Sequence, residues 1–252
     1  MDKIQQSEKA STLSDAVICP YYQDSAVTIY HGDCREIVPT LGRIDLLLTD
    51  PPYLLPVMKG AGCFGGRASL TGTQGFTDMG FDSTMLEQFD NWFCFCSKHN
   101  LVDVISRTGS GKWALIHWCK PNPVPTCNNT YLSDVEYCVH RFSKGRLFGE
   151  MKDKSLFMVH PCGNKETLHP NEKPLALVKK CVVLGAKQGD TILDPFAGSC
   201  TTGRAAKDLG RKCVCIEREE RYCEIGAKRM QQECFTFDVP TTTKQLIEPE
   251  LF

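Results

Sequence analysis

Along most of the chain, short apolar and β-branched runs alternate with stretches whose apolar residues recur at helical spacing. "AVTIY" (26–30), "IDLLLT" (44–49), "KWALIHW" (112–118), "DTILD" (190–194) and "KCVCIE" (212–217) predict strands. "CREIVPTL" (34–41) predicts a short helix, and one longer helix is expected over 85–107, starting near Ser83 or Thr84. Pro174 suits the first turn of a helix running to about Ala186. "TTGRAAKDLG" predicts a helix that ends at Gly210, and "REERYCEIGAKRMQQEC" a last one. "DVEYCVHRF" (134–142) and "SLFMVH" (155–160) read as a further strand pair. Alternating helices and continuously apolar strands predict an α/β fold: a Rossmann-like, mostly parallel, doubly wound sheet with a strand pair at one edge.

Three boundaries follow from the same pattern. Residues 1–25 read as a polar leader, 26–233 as one domain, and 234–252 as a weakly ordered tail. Within the domain, residues 54–83 hold Gly60, Gly62, Gly65, Gly66, Gly72, Gly75 and Gly80. A loop that long in a compact domain is usually a lid or a binding loop.

Composition narrows the class. The 252 residues suffice for one α/β core, and a net charge of −1 excludes a generally polycationic molecule. Any nucleic-acid partner must meet a local basic surface. No apolar run approaches the ~20 residues of a membrane span, and "MDKIQQSEKASTLSD" lacks the apolar core of a signal peptide. A cytoplasmic protein is expected. The fifteen cysteines show C-x-C at Cys94/Cys96 and Cys213/Cys215 but no C-x-x-C, so no metal site is expected and they read as small buried apolar residues.

Candidate chemistry lies at two strand ends. "RIDLLLTDPPY" takes an apolar strand into Asp50, Pro51, Pro52 and Tyr53, where a strand stop would need neither the acid nor the ring. "ILDPFAGSCTTGRAA" (192–206) is a strand, a turn of small residues and a helix. Gly198 lets backbone approach a ligand, and Gly203 allows close packing of helix on strand. Glu217 ends the next strand 19 residues after Gly198, close to the ~20 expected for an acid on ribose hydroxyls. Alone, this pattern fits NAD, S-adenosylmethionine or an ordinary tight turn with a solvated acid. In doubly wound sheets ligands bind at the carboxyl ends of strands, so Asp50 and Asp194 are expected to line one site.

Together "DPPY" (50–53), "HPNEKP" (169–174) and "DPFAGSCTTG" (194–203), with "GDC" (32–34), "WCKPNP" (118–123) and "EYCVHRFSKG" (136–145), resemble the amino-DNA methyltransferases. These enzymes methylate exocyclic nitrogens of adenine or cytosine with S-adenosylmethionine. The catalytic tetrad precedes the cofactor turn, as in the circularly permuted beta class, and the resemblance covers roughly residues 26–233. It implies a cofactor turn of Asp194, Phe196, Ala197, Gly198, Ser199, Thr201 and Gly203, with Glu217 on the ribose. It places Asp33 and Cys34 near the adenine, although Asp33 equally suits a helix cap. His169, Asn171, Lys173 and Pro174 would enclose the methionine end. Asp as the first tetrad residue favours adenine N6 over cytosine N4. A related protein that binds DNA but has lost catalysis is the alternative from another class; the intact Asp50 and Tyr53 argue against it.

Between 141 and 180 nine bases face four acids, which suits phosphate contacts. Arg141, Lys144, Arg146, Lys152, Lys154 and Lys165, with Arg67 in the glycine-rich loop, are the candidate DNA contacts. The expected partner is double-stranded DNA with the target base flipped out; a second copy of the chain and, through "QLIEPELF", a sliding clamp are further candidates. The segment 142–168 is short for target recognition, which predicts a short or relaxed site read partly by the 54–83 loop. A restriction–modification, prophage or orphan role fits equally. Cys200 stands where the family often has Gly, and its Cβ is expected to narrow the cofactor pocket.

Overall fold

The computed structural model describes residues 18–52, 81–121, 134–143, 145, 147–149, 153–161 and 172–232. Its centre is a sheet that contains nine strands among the described residues. They are β1 (Tyr22–Gln23), β2 (Val27–His31), β3 (Leu46–Thr49), β4 (Trp92–Cys96), β5 (Lys112–Cys119), β6 (Val135–Phe142), β7 (Leu156–Met158), β8 (Thr191–Asp194) and β9 (Lys212–Glu217), in the order β1-β2-β9-β8-β3-β4-β6-β5-β7. Only the β1–β2, β4–β6 and β6–β5 pairings are antiparallel. Seven strands therefore share one direction, and their carboxyl ends share one edge.

Helices cover both faces. On one lie α3 (Leu175–Gly185), α4 (Thr201–Asp208) and α5 (Glu220–Gln231), packed over Ile29, Leu46, Leu48, Phe93, Phe95 and Trp118. On the other lie α1 (Cys34–Ile37), α2 (Leu101–Ser106) and two 3-10 turns, over Leu47, Trp92, Cys94, Cys96 and Val139. The alternation of β3 explains its continuous apolar run: Leu46 and Leu48 enter one core layer and Leu47 the other. The same period puts both members of each C-x-C on one face, with the Cys213 and Cys215 sulfurs 3.6 Å apart. All eleven cysteines among the described residues are free, and no cluster of His, Cys, Asp and Glu among those residues has the makings of a metal site.

Three expected elements differ. The helix over 85–107 is instead a 3-10 turn (Ser83–Gln88), strand β4 and the short α2. Every residue of β4, "WFCFC", is buried, because the strand sits between β3 and β6 with a helical layer on each face. Strands β6 and β7 both form but do not pair with each other: β5 lies between them, antiparallel to β6 and parallel to β7. Within the stretch read as leader, β1 adds an outer strand to β2, with Tyr22 opposite Ile29. The glycine-rich loop, apart from 81–83, lies outside the described residues. No described helix is long and apolar enough to cross a membrane.

Candidate active site

The carboxyl edge of the sheet gathers the chemistry. Strands β3 and β8 are direct neighbours, with Leu46 opposite Ile192 and Leu47 opposite Leu193. Asp50 and Asp194, far apart in sequence, therefore leave the sheet side by side, as the rule for ligand sites in such sheets anticipates. Pro51 is buried beneath Asp50, and the residue before a proline is confined to extended backbone, which limits where the Asp50 carboxyl group points.

Asp50 has a cationic neighbour. Lys173 Nζ lies 2.6 Å from Asp50 Oδ2 and 3.3 Å from Glu136 Oε2. Glu136, near the start of β6, also pairs with Lys120 just beyond β5. The Lys173 ammonium stands 5.4 Å from the centre of the Phe95 ring and 6.0 Å from that of Trp118. Burial alone pushes its pKa down, but the charges of Asp50 and Glu136 outweigh this and hold it above the ordinary lysine value. Glu136 mirrors it: burial pushes up, Lys173 and Lys120 pull harder, and the carboxyl stays below its usual range.

The turn after β8 is built on backbone that few side chains tolerate. Gly198 has φ +50° and Cys200 φ +58°, both left-handed. Gly198 N–H donates to Glu217 Oε2 at 2.8 Å, and Glu219 N–H to Oε1 at 2.8 Å. These two bonds hold the Glu217 carboxylate across the turn. At Gly203, a Cβ would come within 3.0 Å of Cys215 Sγ and 3.2 Å of Val27 Cγ1, so this glycine sets the approach of α4 to the sheet. The sequence expectation for Cys200 is corrected: its side chain is fully buried and turns under α5 against Gly226, away from the carboxyl edge. It fills core and does not narrow the pocket.

Asp194 accepts the Thr202 hydroxyl at 2.6 Å and the Phe196 N–H at 3.1 Å. Burial outweighs both bonds and pushes its pKa up to about 7. An acid raised on folding keeps a proton that the unfolded chain has released, so its contribution to stability falls as pH rises from about 4 to about 7. Asp194→Asn is therefore expected to stabilise the protein in the absence of ligand at pH 8, by roughly 2–4 kcal/mol. The gain is expected to shrink toward pH 5; chemical denaturation at the two pH values measures it.

A second buried pair ties the segment before α3 to this turn. Arg229 of α5 lies 2.7 Å from Glu172 Oε1 and 3.1 Å from Thr201 Oγ1, and at 3.4 Å it reaches both the carbonyl and the hydroxyl of Ser199. Ser199 and Thr201 thus meet Arg229 under the turn, and Ala197 N–H bonds Ile216 O at 3.0 Å. Phe196 meets Phe81, at the end of the glycine-rich loop, edge to face at 5.6 Å. Pro174 caps α3, which begins one residue later.

Asp33 caps α1, accepting the Arg35 N–H at 2.9 Å while the Arg35 guanidinium engages the same carboxylate, with Cys34 buried beside it. The structure thus gives Asp33 the capping role and keeps it at the same edge, beyond β2. Arg141 is corrected as a DNA contact. It sits opposite Trp92, at the amino edge of the sheet, and donates to the Phe89 and Thr108 carbonyls at 3.0 and 3.1 Å. Lys154 is exposed just before β7. Tyr53, Arg67, Lys144, Arg146, Lys152, Lys165, His169 and Asn171 lie outside the described residues, as does the tail. Lys120 and Glu136 fall inside "WCKPNP" and "EYCVHRFSKG" but receive no role from them, and Arg229 lies in no motif; only their three-dimensional partners single them out.

The model of the family described as DNA methylase, covering N6 and N4 methyltransferases, matches residues 44–228, more than half of the chain. The chain belongs to this DNA methylase family. Similar relatives include the Type II methyltransferase M.HinfI of Haemophilus influenzae, 27% identical over 81% of this chain and 68% of the relative. M2.MboI of Moraxella bovis is 26% identical over 85% of this chain and 92% of its own length. Among solved structures, the M1.HpyAVI–SAM complex superposes with a TM-score of 0.61 at 25% identity, covering 82% of this chain and all of that one. The cytosine-N4-specific PvuII DNA methyltransferase shares the fold, with a TM-score of 0.62 at 18% identity. The matched stretch of this DNA methylase runs from the strand before Asp50 to α5, so both strand-end motifs fall inside it.

Proposed function

We propose that this DNA methylase transfers a methyl group from S-adenosylmethionine to the exocyclic N6 amine of adenine in double-stranded DNA, with the target base turned out of the duplex. The observation that carries this reading is the adjacency of β3 and β8, which sets the Asp50 carboxylate beside the Asp194–Gly203 turn. The turn suits the cofactor: Glu217 is an acid aimed by two backbone N–H groups, fit for a diol, next to a Cβ-free position at Gly198. When bound, the cofactor supplies an electrophilic methyl group.

The chain's own residues prepare the amine. The adenine N6 lone pair is delocalised into the ring, so the nitrogen is a poor nucleophile. Asp50 accepts one N–H and the Pro51 carbonyl the other, which draws charge toward the nitrogen and favours its pyramidal form. The two prolines restrict φ, so both acceptors keep their aim. Tyr53, next in the chain, supplies a flat face for the extruded base. Holding amine and methyl in line accounts for a large share of the acceleration. No covalent link between enzyme and base is required.

Expression in cells that lack adenine methylation, followed by sequencing that reads modified bases directly, tests this. Methylated adenine at a short or relaxed site is expected. Methylation confined to one long motif contradicts the short recognition segment, and N4-methylcytosine contradicts the choice of base.

A further inference from the structure

The row of charge at the carboxyl edge is longer than a methyl acceptor site requires. One carboxylate suffices to accept an amine N–H, yet Lys173, Glu136 and Lys120 stand behind Asp50 with alternating sign. They come from three places in the fold: the segment before α3, the start of β6 and the end of β5. The side chains of Lys173, Glu136 and Lys120 are only 9, 20 and 18% exposed. Lys173 and Glu136 hold their charge through their neighbours, since taking a lone ion out of water is expensive.

The geometry ranks the contacts. Lys173 is closer to Asp50, at 2.6 Å, than to Glu136, at 3.3 Å, and the Phe95 and Trp118 rings flank its ammonium. Glu136 divides its two oxygens, Oε1 to Lys120 and Oε2 to Lys173. A carboxylate left to itself rotates; one gripped at 2.6 Å keeps its orientation. Small misplacements at a reacting centre are costly, with ~1 Å able to remove about 10²-fold of rate.

We propose that Lys173 is the positioning residue of the catalytic carboxylate: it engages Asp50 Oδ2 and holds the carboxyl group in one orientation for the target amine, while Glu136, held by Lys120, fixes where Lys173 stands. This rests on the reading of Asp50 as the amine's acceptor. It moves the lysine of "HPNEKP" from the cofactor's side of the pocket to the base's side. It also gives Glu136, two strands away from β3, a part in the reaction.

The test compares wild type with Lys173→Met, Glu136→Gln and the double variant. Three quantities are read: the single-turnover rate of methyl transfer to unmethylated DNA, the Kd for S-adenosylmethionine, and Tm. Lys173→Met is expected to slow transfer about a hundredfold and Glu136→Gln about tenfold, with the cofactor Kd within about threefold of wild type. The double variant removes one charge of each sign. It is expected to recover Tm lost by the single variants while its rate stays low. A rate that returns together with Tm overturns the proposal in favour of a purely structural pair, and a Kd that weakens as much as the rate falls overturns it in favour of a cofactor contact. Wild type active on DNA and Lys173→Met equally fast overturns the positioning role alone. Wild type that methylates no DNA overturns the functional reading, and this proposal with it.

Discussion

Replacing Asp50 with Ala is expected to lower methyl transfer by at least about 10³-fold while leaving cofactor affinity nearly intact. Losing one preorganised hydrogen bond to a reacting centre typically costs about 10²–10³ in rate. Here the change also releases Lys173, whose ammonium lies 2.6 Å from the carboxylate, into space meant for the base. Asp50→Asn is expected to fare little better. Its amide either turns an N–H toward Lys173 or presents a donor where the amine needs an acceptor. The turn proposed to hold the cofactor stands on β8, with its backbone bonds to Glu217 independent of Asp50, so cofactor binding is expected to survive. Transfer of label to DNA, set beside calorimetric titration with cofactor, checks both halves. Turnover equal to wild type in Asp50→Ala would remove the assigned chemistry.

The second large effect lies under the cofactor turn. Gly226→Ala is expected to destabilise the protein by about 2–3 kcal/mol, as overpacking of a filled core does. A methyl there collides with Cys200 Sγ and comes within 3.0 Å of Cys200 Cβ and 3.3 Å of Ile29 Cδ1. In an open helix position the same change would gain about 1 kcal/mol, so the sign itself is informative. Cys200 has no easy retreat, because its backbone is left-handed at φ +58° and its side chain fully buried. Cys200→Gly removes the obstacle and relieves a backbone strained by roughly 1–2 kcal/mol. The double variant is therefore expected to regain most of the loss. Thermal unfolding of the three variants measures it; an unchanged Tm for Gly226→Ala means that α5 does not pack on the turn in this way.

Much of the architecture is legible in the chain. The apolar runs that become β2, β3, β5, β8 and β9 have the length and β-branched content of buried strands, and Pro174 and Gly210 bracket helices as their backbones demand. The general rule about strand ends also anticipates that Asp50 and Asp194 meet. Strand β4 is harder to read, because "WFCFC" is buried on both faces and shows no alternation, so periodicity cannot separate strand from helix. The insertion of β5 between β6 and β7 is a matter of long-range pairing that no local pattern encodes. Charge reads poorly for a similar reason. Arg141 belongs to a basic stretch, yet its register opposite Trp92 sends it to the wrong edge of the sheet. Glu136 looks like an ordinary strand acid until folding brings Lys173 and Lys120 to it.

One assay decides whether this chain methylates adenine in DNA through Asp50. Purified protein is incubated with unmethylated double-stranded DNA and methyl-labelled S-adenosylmethionine, the DNA is digested to nucleosides, and the labelled base is identified, with Asp50→Ala in parallel. Label in N6-methyladenine is expected for wild type and none above background for the variant. Label in N4-methylcytosine, label on RNA but not on DNA, or equal labelling by Asp50→Ala would contradict this.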